Sequence, residues 1–301
     1  MPDAISAPPA EPHGITQKNG VRADESSAEL TYHTARPWWQ LVDIAELWDH
    51  RELFWMLGLR DLQVRYRQTF LGIAWCLLQP LTSMAIFATL FGLLGRRPAE
   101  DGVPYGLVAL CGLVPWQTFS TIVSHAGGSL VANHQLIGKV FFPRLLIPLA
   151  TVISNLVDFG VSLGIVLAGL LIWGVWPSWH ILGLPLAVGL VVAAGLAVGL
   201  GVAALNAMYR DATFLVSFAL QAGFFVSPVV YETTSLIPPR WQALYALNPL
   251  AGILDFFRWC LLPDRPFPAA GLFLATAITA IVLVASLAYF RSIESTIADS
   301  I

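Results

Sequence analysis

The stretch "RDLQVRYRQTFLGIAWCLLQP", residues 60–80, sets Arg60, Asp61, Arg65 and Arg67 directly against an apolar run. Such a junction marks a membrane boundary. A helix crossing hydrocarbon needs about 20 successive, mostly apolar residues, and cationic side chains collect where it leaves the bilayer on the cytoplasmic side. The whole chain has the matching composition: of 301 residues, 56% are hydrophobic and 12% charged, with a mean hydropathy of +0.69. Soluble domains carry roughly twice that share of charge, so the chain reads as an integral membrane protein. Its formal net charge of -3 offers no basic excess for nucleic acid.

Working outward, uncharged runs long enough to span lie at about 70–95, 105–125, 145–175, 181–206, 213–230 and 270–290. The fold class expected is therefore all-α, with six transmembrane helices and both termini on one side. Arg60, Arg65, Arg67, Lys139, Arg144, Arg210 and Arg291 flank spans on that side, against Arg96, Arg97, Arg240, Arg258 and Arg265 on the other. The bias places both termini in the cytoplasm.

Upstream of the first span, residues 38–58 put Trp38, Leu41, Val42, Ala45 and Trp48 on one stripe and Asp43, Glu46 and Asp49 opposite. That pattern is an amphipathic helix suited to the membrane plane or to a partner protein. Residues 1–37 hold Pro2, Pro8, Pro9, Pro12 and Pro37 among polar residues and lack an apolar segment, so a disordered tail is expected. Domains are thus 1–37, 38–58 and a membrane domain over 59–301. On a helix Asp61 and Arg65 can pair, being four apart. Before the last span, two apolar pieces separated by Asn248-Pro249 are each too short to cross, and read as re-entrant or interfacial helices on the outer side.

Motifs for soluble chemistry fail in their context. Gly138-Lys139 is followed by Val140 and lacks the other elements of a phosphate loop, so nucleotide would have to bind another chain. "GVSLG" at 160–164 imitates a nucleophile elbow inside an apolar helix; Gly160, Gly164, Gly195 and Gly199 read instead as close-packing positions. The six histidines show no ligand spacing, and Cys76, Cys111 and Cys260 form no CxxC pair, so neither a metal site nor a disulfide framework is expected. Polar residues in spans carry more information because hydrocarbon makes them costly. Asn155 and Asp158 share a helical face, and either line a pathway or bond within the bundle; Gln79, Gln117, Asn206 and Gln221 pose the same choice. Phe87, Phe91, Trp116, Phe119, Phe224, Phe225 and Tyr231 fall on the outer halves of their spans, as a sliding surface for sugars or as an interfacial aromatic belt.

The opening stretch, together with "LIGKVFFPRLLIPLA" (136–150), "NAMYRDATFL" (206–215), "SPVVY" (227–231) and "LNPLAGILDFFR" (247–258), resembles the permease subunit of type-2 ATP-binding-cassette exporters. The resemblance is to the branch that exports O-antigen, capsule or teichoic acid polymers, and it runs from about residue 50 to the end. It implies a homodimer bound to two cytoplasmic ATPase subunits that hold ATP and Mg, in the bacterial inner membrane. A lipid-linked polysaccharide would cross at the dimer interface, and this chain would bind no cofactor itself. It also implies a coupling segment at about 127–144 with Asn133, Lys139 and Arg144, and a second ATPase contact at Tyr209, Arg210 and Asp211. The Arg60, Arg65 and Arg67 cluster then anchors the first span and lies where a lipid pyrophosphate would approach. Export of a small hydrophobic compound by the same fold is the sister expectation. A membrane-embedded transferase would need clustered carboxylates or a His-Asp pair, which the chain lacks.

Overall fold

An apolar segment in hydrocarbon satisfies its backbone by closing its hydrogen bonds within a helix. The computed structural model describes residues 44–67, 74–93, 103–138, 142–209, 211–231, 233 and 237–300, and their regular structure is helical. In chain order these are α1 (Ile44–Asp49), α2 (Arg51–Arg67), α3 (Ala74–Leu93), α4 (Tyr105–Ala132), α5 (His134–Ile137) and α6 (Leu146–Ile172). A 3-10 turn (Trp179–Gly183) then leads into α7 (Leu184–Met208), followed by α8 (Ala212–Val226), α9 (Pro239–Tyr245), α10 (Pro249–Leu261) and α11 (Ala269–Ser300). The expected tail, residues 38–43 of the amphipathic segment, Arg96, Arg97, Lys139 and Arg210 lie outside the described residues.

Among the described residues, four segments are long and apolar enough to cross a bilayer: Tyr105–Ala132, Leu146–Ile172, Trp179–Met208 and Ala269–Glu294. The other two expected spans are shorter apolar helices, Leu77–Leu90 within α3 and Ala212–Val226. The helix expected to run to 230 stops at Val226 for a local reason. Pro228 has no N–H to continue the ladder and pushes Ser227 into an extended conformation (φ -92°, ψ 151°). The α6 helix likewise ends at Ile172 instead of 175. Gly174, at φ 69°, lets the chain reverse so that Val175 N–H reaches Leu170 O (2.9 Å) and Gly174 N–H reaches Leu171 O (3.2 Å).

At the centre is α4, buried along most of its 28 residues and packed against α6, α7, α3 and α10. Around it, α7 lies against α11, and α2 lies along α6. One apolar cluster joins α4, α6, α7, α10 and the residues after α8. A second knits Leu57, Leu130, Phe142, Leu146, Leu200 and Phe290 at the end of the bundle where α4 stops and α6 begins. Leu136, Ile137, Phe142 and Leu145 belong to or pack against that same cluster.

The glycine expectation divides. Gly195 and Gly199 do bring α7 close to α4: a Cβ at Gly195 would stand 2.8 Å from Ile122 Cγ2, and one at Gly199 would stand 2.9 Å from Ala126 Cβ. Gly160 and Gly164 have nothing within 4 Å of a built Cβ, so they mediate no close packing among the described residues. Identical spacing met different neighbours. Gly195→Val is expected to overpack the α4–α7 contact at a cost of about 1–3 kcal/mol, read as a lower unfolding midpoint in detergent. Gly160→Ala, with open space and better helix propensity, is expected to cause no loss.

Candidate functional site

The α2 helix carries the arginines of the opening stretch, and it continues through residue 60 without a break to Arg67. Gly58 lets it approach α6, where a Cβ would sit 2.9 Å from Ile153 Cβ. That contact sets the register for everything beyond it. Arg65 pairs with Asp158 on α6, and the Tyr66 hydroxyl donates to the other Asp158 oxygen. Arg65 Nη2 also stands 3.0 Å from His125 Nδ1 on α4 and 3.4 Å from Ser154 Oγ. His125 Nδ1 is in turn 2.8 Å from Asn155 Oδ1. The expected Asp61–Arg65 pair therefore does not form. Asp61 accepts from Arg60 at 2.9 Å instead, because packing against α6 draws Arg65 to a carboxylate on another helix.

Asn155 and Asp158 are thus brought together with Arg65 in one polar cluster, and both bond within the bundle. A cleft of about 530 Å³ opens beside it, lined by Arg60, Arg65, His125, Asn133, Thr151 and Ser154 among others. Arg60 crosses this cleft and donates to Asn133 Oδ1 at 2.6 Å. Arg67 is exposed.

Asn133 is the hinge between α4 and α5, and its side chain donates to Ser129 O at 2.9 Å. On the far side of the same segment, Arg144 donates to the Glu294 backbone carbonyl of α11. Tyr209 and Asp211 are exposed, with Ala212 N–H reaching Tyr209 O at 3.2 Å to make the turn into α8. Asn206 resolves inward: it donates to Gly127 O at 2.8 Å and accepts from Thr213 at 3.3 Å.

The aromatic candidates also assemble. Phe87 on α3 lies 5.9 Å from Phe224 on α8, Trp116 on α4 lies 5.9 Å from Phe224 and 5.6 Å from Phe119, and Phe224 lies 5.3 Å from Phe225. Trp116, Phe224 and Phe225 line a groove of about 410 Å³ between α4 and α8, together with Ser120, Ser124, Ser217, Leu220 and Gln221. Phe119 packs behind Trp116 in the core, and Phe91 has no described side chain. Ser124 donates to Ser120 O and Ser217 to Thr213 O, at 2.9 and 3.0 Å. Their hydroxyl protons being committed to the helix, these two serines face the groove as acceptors. Rings and weak acceptors along one groove suit a ligand rich in hydroxyl donors and flat C–H faces.

Tyr231 leaves this set. Its hydroxyl is 2.9 Å from that of Tyr245, which burial and the Tyr231 hydroxyl hold well above the ordinary tyrosine pKa. It belongs to the irregular segment after α8, whose carbonyls are taken by Arg258 and Tyr105. Arg258 Nη2 donates to Pro228 O and Val229 O at 2.5 and 2.7 Å, Nη1 to Asp255 at 3.2 Å, and the Tyr105 hydroxyl to Val230 O at 2.8 Å. Burial raises the Asp255 pKa above its ordinary value, while Arg258 and the Thr233 hydroxyl pull it back. Arg258, expected as a charge flanking a span, is instead buried at 3% exposure. The signal was Asp255 three residues before it on an otherwise apolar helix. Among the described residues no group of His, Cys, Asp and Glu is arranged to hold a metal, and Cys111 and Cys260 are free and buried.

Residues 52–262 match the ABC-2 type transporter family. The chain is 30% identical over 259 residues to an O-antigen export system permease protein of Myxococcus xanthus, covering 86% of this chain and 98% of that protein. It is 31% identical to a Klebsiella pneumoniae protein of the same description, over 66% of this chain and 76% of the relative. It is 24% identical to an Escherichia coli polysialic acid transport protein, over 81% and 94%.

Proposed function

The chain belongs to the ABC-2 type transporter membrane family, and on that premise we propose that it is the permease subunit of an ATP-driven exporter of lipid-linked polysaccharide in the bacterial inner membrane. The observation that carries this reading is the match over 98% of the length of an O-antigen export permease. The groove between α4 and α8 supports it, since rings and acceptor serines fit a glycan better than they fit an apolar compound.

In this reading α3 and α8 complete six spans, both termini are cytoplasmic, and α9 with α10 forms the re-entrant outer segment. The chain catalyses nothing itself; ATP and Mg are held by two copies of a separate cytoplasmic subunit. Its contacts are the segment around Asn133, Lys139 and Arg144 and the turn at Tyr209, Arg210 and Asp211. The α8 helix has no buried residue, and Phe214 and Phe218 are 78% and 70% exposed. A second copy of the chain covers that face and closes the groove into a conduit. Arg60 and Arg67, the exposed members of the arginine cluster, anchor the helix and meet the lipid pyrophosphate; Arg65 is engaged by Asp158.

Co-expression with the ATPase encoded beside it tests the reading. A stable complex with two copies of each chain is expected, and deletion of this chain is expected to leave polymer inside the cell. Surface polymer unchanged by the deletion would redirect the proposal to a small hydrophobic cargo.

A further inference from the structure

The polar cluster on α2 has two ends with different partners, and this is the basis of a mechanical reading. At Arg60, α2 grips Asn133, the first residue beyond α4 in the segment leading to α5. At Arg65 and Tyr66 it grips Asp158. Asp158 lies about 18 Å along α6 from its first residue at 1.5 Å per residue, which places it near mid-helix. Between the two grips α2 is an uninterrupted helix, so a displacement at one is carried to the other.

Asp158 is a costly residue to keep at that depth, and its side chain is only 19% exposed, with Arg65 at 28%. A helix that needed only to be anchored could use apolar contacts, and α2 already has them in Leu53, Phe54 and Leu57. The neighbouring histidine adds a choice. His125 Nδ1 is within hydrogen-bond distance of both Arg65 Nη2 and Asn155 Oδ1. Toward this nitrogen Arg65 can only donate and Asn155 Oδ1 can only accept, so it serves them only in alternation. When it accepts from Arg65, α2 is tied to α4 as well as α6. When it donates to Asn155, α4 and α6 are tied to each other and Arg65 keeps its bond to Asp158.

We propose that α2 is a lever linking the coupling segment to the middle of α6, and that Asp158 is the positioning residue that fixes its inner end, with His125 exchanging between Arg65 and Asn155 as the lever moves. This inference rests on the reading of the chain as an ATPase-driven permease. Motion imposed on the segment at Asn133 reaches α6 through Arg60, the rigid helix and the Arg65–Asp158 pair. Without the pair, the ATPase completes its cycle but α6 does not follow.

The test is made on the whole complex of permease and ATPase in proteoliposomes, reading complex yield, ATP hydrolysis and polymer translocated per ATP. Asp158→Asn keeps the shape of the side chain and removes its charge. Expected are an assembled complex, ATP hydrolysis within twofold of the unsubstituted complex, and at least a tenfold fall in polymer per ATP. The exchange Arg65→Asp with Asp158→Arg should recover several-fold over either single change. If polymer per ATP is unchanged in Asp158→Asn, or if yield and both rates fall together with their ratio constant, the residue is merely structural and the lever is wrong. Absence of recovery in the exchange would also overturn it. Should Asp158→Asn fail to assemble, Tyr66→Phe is read instead, since it retains the ion pair and removes one donor. A two- to fivefold fall in polymer per ATP is expected there, and no fall counts against the lever. Failure of the underlying reading looks different: the unsubstituted complex would hydrolyse ATP and move no polymer.

Discussion

Arg258→Ala is expected to destabilise the protein by about 3–5 kcal/mol, the range for removing one partner of a buried ion pair. The guanidinium is 3% exposed and bonds to Pro228 O, Val229 O and Asp255. Truncation leaves two carbonyls without their donor and the partly exposed Asp255 carboxylate without its cation. The damage is concentrated because residues 227–231 are irregular, and their buried carbonyls, which no helix satisfies, depend on side-chain donors. Gly112 shows how tight the site is, since a Cβ there would run into the Val229 carbonyl and Arg258 itself. Thermal unfolding in detergent should show a large drop in midpoint, with a loss of the monodisperse peak. Arg258→Lys should recover only part of it, because one ammonium cannot reproduce a fork directed at two carbonyls and Asp255. The double change Arg258→Met with Asp255→Asn should be milder than Arg258→Ala, since it removes the stranded charge as well. A double variant as unstable as the sum of the separate changes would mean the pair is not the source of the effect.

Gly252→Val is expected to cost about 3 kcal/mol, at the upper end for overpacking. Here α10 crosses α11 backbone to backbone: a Cβ at Gly252 would collide with the Gly271 carbonyl and stand 2.9 Å from Ala275 Cβ. Side chains can rotate away from an added methyl, whereas a carbonyl within a helix cannot without breaking its ladder. The α10–α11 contact must then open, which disturbs the helix that carries Arg258. Gly252→Ala should fall between the glycine and valine forms. Equal stability of all three, measured by the same unfolding midpoint, would show that the two helices have room to separate.

Much of this architecture was legible in the sequence. Residues 105–125, 145–175, 181–206 and 270–290 read as spans and are found in α4, α6, the 3-10 turn with α7, and α11. Their signal is a sum over about 20 side chains, each contributing transfer free energy, so errors at single residues average out. Ends were less legible: the expected stop at 230 overlooked Pro228, whose missing N–H ends α8 at Val226. The family motifs were legible too, and residues 52–262 bear them out.

Pairings were not legible. Asp61 and Arg65 had the spacing of a helical pair, yet Arg65 bonds to Asp158, 93 residues away. Gly160 and Gly164 share the four-residue spacing of Gly195 and Gly199, and among the described residues only the latter two meet another helix. Arg258 had the look of a boundary charge and is a buried strut.

The sequence by itself determined that the chain is helical, that it enters a membrane, and which family it resembles, because hydropathy and local motifs are properties of contiguous residues. The tertiary structure decided which of its few polar residues hold one another: Arg65 with Asp158, Arg60 with Asn133, Arg258 with the carbonyls after α8. Those choices depend on how helices lie side by side, and in an apolar interior a charge takes the partner that packing brings within reach, however far away it lies in the chain.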